Sequence, residues 1–154
     1  MPKYHMRSLN LTKNAVLAVA LGVGTPFACA DYNPGKLGEA AGAYVIATDM
    51  MQRLQSSRCG YVFKKSTYRF DEAVKEVMQY LRPGDRKEFQ AFLIGEENMK
   101  ARQDNTRYIE DWLRSMAREG QDEKTACGML FSHIGTVYSK ATKGWEYAKQ
   151  HYTK

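Results

Sequence analysis

Proline is scarce in this chain of 154 residues: Pro2, Pro26, Pro34 and Pro83 are all there are. Because an interior proline removes a helix hydrogen bond and clashes with the preceding turn, this scarcity leaves long stretches free to be helical. No polar–apolar alternation runs beyond a few residues, which excludes a half-buried sheet as the main architecture. Signature motifs are missing too. The chain has no H-E-x-x-H, no cysteine pair at zinc spacing, no glycine-rich phosphate loop and no G-x-S-x-G elbow, so the familiar metalloprotease, nucleotide-binding and hydrolase patterns do not apply. A C-x-x-C-H haem attachment is absent, since His133 lies well beyond Cys127. The apolar run Ala15–Val23 is too short for a membrane-spanning helix, which needs ~20 residues.

That run belongs instead to an export pattern. Lys3, Arg7 and Lys13 precede it with no acidic residue among the first thirty, helix breakers end it, and Ala28-Cys29-Ala30 follows. These are the parts of a secretory signal peptide, predicted over residues 1–30 and cut after Ala30. Lipidation of Cys29 is the alternative, but Pro26 and Phe27 fit poorly where small or branched aliphatic residues are needed. Residues 31–154 then form one domain of ordinary size with no lasting membrane anchor, exported and most simply periplasmic. Losing the three leader cations takes the net charge from +6 to +3. Positive charge so weak and so mixed with negative charge does not suit a nucleic-acid binder. Cys59 and Cys127 are the cysteines left, and in an oxidising compartment such a pair reads as a disulfide.

Apolar residues recur at three- and four-residue steps in five stretches, predicting helices over about Lys36–Ser57, Asp71–Leu81, Arg86–Gln103, Thr106–Glu119 and Glu123–His151. Asp71, Asp85 and Asp122 are the expected N-caps, and Gly60 and Gly120 the expected stops. The polar Gln103–Thr106 stretch is either a break or read through. Gly128, Gly135 and Gly144 interrupt the last helix, at a cost of up to ~1 kcal/mol each relative to Ala, and a close neighbouring helix is one reason for them. Arg53 is placed to neutralise Asp49, and Glu110 to pair with Arg114. The fold expected is all-α: one bundle-like domain of four to five helices, its first and last long helices tied by Cys59–Cys127.

No catalytic set and no cofactor are expected. His133 lies beside an apolar stripe in a chain with many methionines, and a haem-binding bundle or an enzyme using His133 is the alternative reading. The connection Cys59–Phe70 is unusually aromatic and basic: Tyr61, Phe63, Lys64, Lys65, Tyr68 and Arg69. Such a segment either is pinned onto the core or contacts a partner, here another protein, with the lysines favouring an acidic one. A small exported helical domain with one disulfide and no catalytic set resembles, in architecture alone, immunity proteins against periplasmic effectors, secretion pilotins and small periplasmic chaperones. That resemblance implies non-enzymatic protein binding, with the immunity or inhibitor role first.

Overall fold

A computed structural model describes residues 32–63 and 67–153. The architecture is an all-α bundle: α1 (Pro34–Ser56), a single 3₁₀ turn (Gly60–Val62), α2 (Phe70–Tyr80), α3 (Pro83–Ile94), α4 (Glu96–Arg118) and α5 (Glu123–His151). Helices α1 and α5 form its spine, running antiparallel with both ends fastened. At one end the Cys59–Cys127 disulfide joins the end of α1 to the start of α5, with a Cα–Cα distance of 5.4 Å. At the other, the Asn33 N–H donates to the Tyr152 carbonyl at 3.2 Å.

Two apolar clusters fill the space beside the spine. Around the disulfide, Met50, Met51 and Leu54 of α1 meet Ile109 and Leu113 of α4 and Leu130 and Ile134 of α5. Around Trp145, Leu37, Ala41 and Val45 meet Val77 of α2 and Phe89 and Leu93 of α3. Helix α4 thus covers one half of the spine, and α2 with α3 the other.

Local chemistry sets the boundaries. Pro34 opens α1, and Asn33 caps it by accepting from the Lys36 N–H at 3.0 Å. Asp122 caps α5 as its sequence position predicts, accepting from Thr125 N at 2.9 Å. Gly120, at φ 78°, closes α4 with the Gln121 N–H on the Met116 carbonyl, a left-handed stop that favours glycine.

Other boundaries differ from the sequence expectation. The N-cap position of α2 is Arg69, not Asp71. The orphan N–H of Phe70 is met from α1 by Gln52 Oε1 at 2.6 Å, while Asp71 turns to Arg69. Likewise α3 begins at Pro83 rather than after Asp85, because the Arg82 N–H donates to the Tyr32 hydroxyl, which donates in turn to Asp85. Gln103–Thr106 is read through, and the break falls at Gly95 instead. There the backbone is extended, the Asn98 amide holds the Leu93 carbonyl at 3.1 Å, and Glu96 and Glu97 start a new helix.

Gly60 is not the last residue of α1. A Cβ there would stand 2.5 Å from the Gln55 carbonyl oxygen, so close backbone approach requires the glycine. The glycines of α5 have no such internal reason: a Cβ at Gly128, Gly135 or Gly144 meets no described atom within 4 Å. Arg114 pairs with Asp111, not Glu110. Arg53 does reach buried Asp49, and Arg102 of α4 joins it at 2.8 Å, a cross-helix contact with no local sequence signal.

Candidate functional site

The Cys59–Phe70 connection is part surface and part core. Tyr61, in the 3₁₀ turn, is 55% exposed. Phe63 is half-buried, its ring edge-to-face with Phe131 at 4.9 Å and with Tyr68 at 5.7 Å. Tyr68 is half-buried as well, perpendicular to Tyr138 at 5.1 Å, and its N–H donates to Gln55 Oε1 at 3.0 Å. Arg69 is exposed and reaches Asp71 at 3.1 Å and Glu72 at 3.4 Å. Lys64 and Lys65 lie outside the described residues, as do residues 1–31 with the expected leader and cleavage position.

Instead of projecting, the far end of the connection walls a cleft of about 370 Å³. Thr67, Tyr68 and Arg69 face Tyr44 and Thr48 of α1, Glu72 and Glu76 of α2, and Tyr138 of α5 across it. Glu76 is its electrostatic hub. Oε1 accepts from Trp145 Nε1 at 2.9 Å and Lys149 Nζ at 2.8 Å, and Oε2 accepts from the Tyr44 hydroxyl at 3.0 Å. Burial pushes the Glu76 carboxyl up, but hydrogen bonds from Lys149, Trp145 and Tyr44 outweigh it and hold the group below its ordinary range. Burial first, and then the neighbouring Glu76 charge, push the Tyr44 hydroxyl well above the usual tyrosine range, so it remains a phenol donor. The helical pattern alone does not single out Glu76; its three donors come from two other helices.

A second depression, of about 520 Å³, lies along the outer side of α5. Phe131, Ser132, Gly135, Thr136, Ser139, Lys140 and Lys143 line it. Met129, 48% exposed, and Tyr147, 55% exposed, continue the same row at its two ends. From Met129 to Tyr147 this face extends about 27 Å at 1.5 Å per residue. Phe131 connects it to the 3₁₀ turn through Phe63.

His133, also on α5, is half-buried and lines neither depression. Among the described residues no cluster of His, Cys, Asp and Glu could hold a metal ion, and no helix is long and apolar enough to cross a membrane. Comparison with protein-family models, with curated proteins and with solved structures finds no match to this chain.

Proposed function

We propose that this is an exported, non-enzymatic domain that binds an acidic segment of another protein along the outer face of α5. The observation that carries the reading is the composition of that face. Small residues at its middle expose helix backbone for close approach, Met129 and Tyr147 offer apolar area at its ends, and Lys140 and Lys143 set its charge. Glycines weaken a helix, and those at 128 and 135 make no close contact with the described residues in exchange. An acidic amphipathic helix has the matching shape and charge: small side chains admit it and lysines on the rim steer it. Tyr61 extends the surface through Phe63 and Phe131. The disulfide is compatible with a periplasmic setting, and there an inhibitor or immunity role suits a rigid, stapled binder that itself pays little ordering entropy.

The test is capture from the native exported fraction by wild type and by a Lys140→Glu/Lys143→Glu variant with an unchanged melting temperature. An acidic protein is expected on the wild type, released by salt and absent from the variant. Equal recovery of the same protein by both would remove α5 from the interface. Retention only of a second copy of this chain, seen as a dimer by sedimentation, would replace the partner with self-association.

A further inference from the structure

The cleft between α1, α2 and α5 is chemically unlike the α5 face, and its function does not depend on whether that face binds a protein. Three tyrosines, Tyr44, Tyr68 and Tyr138, line it with two carboxylates, Glu72 and Glu76, and one cation, Arg69. The rings of Tyr68 and Tyr138 stand at 88° to each other, and Tyr44 lies 6.4 Å from Tyr138. Aromatic rings meeting at angles around a space of about 370 Å³ suit a compact ligand with several faces, at a volume within the usual range for small-molecule sites. The charge decides which ligand. Among the described residues, Arg69 is shared between Asp71 and Glu72 and Lys149 between Glu76 and Glu146, so four carboxylates face two cations in and around the cleft and negative charge is in excess. Glu76 places Lys149 and Trp145 on Oε1, whereas Oε2 accepts from Tyr44 alone among the described residues.

We propose that this cleft binds an organic cation, an alkylammonium group held against the tyrosine rings with Glu72 and Glu76 as counter-charges. Ring quadrupoles attract such a cation, and a carboxylate nearby adds a Coulomb term that a half-buried site screens less than bulk water does. The domain already uses this contact nearby: Lys149 Nζ lies 5.6 Å from the Trp145 ring while bonded to Glu76. The group arrives either on a free small molecule or as a lysine side chain of a bound protein; the recognition chemistry is the same.

The Trp145 indole N–H, bonded to Glu76, reports on the cleft by ¹H–¹⁵N NMR, and Trp112, beside the disulfide cluster, is the internal control. Titration with choline, and separately with a capped Gly-Lys-Gly peptide, is expected to shift the Trp145 signal saturably and leave Trp112 in place. A stronger response to choline assigns a free cation, and a stronger response to the peptide assigns a partner's lysine. The uncharged isostere 3,3-dimethylbutanol should bind roughly tenfold more weakly, the order expected of a partly desolvated cation–π contact. Glu72→Gln, at an exposed side chain, should keep the fold and weaken the cation alone. Tyr138→Leu tests the ring, with melting temperature as its control. No saturable shift with either cation, or equal affinity for the isostere, overturns the proposal.

Discussion

Tyr68 and Arg69 are neighbours in sequence with different work to do. The Tyr68 ring packs between Phe63 and Tyr138 against the disulfide cluster, whereas Arg69 is exposed. Tyr68→Ala is therefore expected to cost about 2–4 kcal/mol, as aromatic truncation at a packed site does. Arg69→Ala, losing only exposed pairs with Asp71 and Glu72, should stay within about 1 kcal/mol. Urea unfolding of each single variant checks this, and equal losses would contradict the division. Glu76 makes a second expectation, in pH. Its folded pKa lies below the ordinary value of 4.5. The ionised form is thus favoured by folding, so the contribution is full above about pH 4.5 and lost as pH falls through the lower folded value. Comparing wild type with Glu76→Gln, the melting-temperature gap seen at neutral pH should shrink on acidification below that point. A gap constant down to pH 3 would show that Glu76 acts by packing alone.

At the scale of elements, the disulfide is the main constraint on α1 and α5. It closes a separation of 68 residues, which in the chain-entropy account is worth about 4 kcal/mol. Both sulfurs are buried, and the apolar clusters continue on either side. Removing the bond should thus lower stability while the helices persist. Cys59→Ala and Cys127→Ala are expected to be similarly destabilising, and the double variant no worse than either, because all three lose one shared bond. Thermal unfolding followed by circular dichroism measures this; additive losses would mean that each cysteine acts separately. Helix α4 is held to the spine differently, by Arg102 reaching Asp49 while its guanidinium lies 4.0 Å from the Phe70 ring. A carboxylate so buried is tolerated because two arginines meet it.

For the whole molecule, the proposed export would account for a disulfide in so small a domain. Ala28 and Ala30 stand at the small-residue positions of a cleavage site, so the exported protein is expected to begin at Asp31. Intact mass decides it, and a diacylated species starting at Cys29 would replace cleavage after Ala30 with lipid anchoring. Just after that position the chain is held on both sides: the Tyr32 hydroxyl lies between Arg82 and Asp85, and Asn33 is tied to Tyr152.

Much of this architecture is local and so legible in the residues themselves. The three- and four-residue spacing of Leu37, Ala41, Met51, Leu130 and Ile134 marks a buried helix face in any bundle, and Asp122 and Gly120 punctuate helices by chemistry acting within a few residues. The two cysteines pair because they fall at the ends of two such helices. What residues far apart in sequence do together was decided only by packing. Asp71 and Asp85 lost their expected caps to Gln52 and Tyr32, because each competing partner arrives from another part of the chain. The cleft is of the same kind. Tyr44, Glu76 and Tyr138 are each one more residue on an amphipathic helix until α1, α2 and α5 meet, and no periodicity within one helix encodes which side chains a second and third will bring to it.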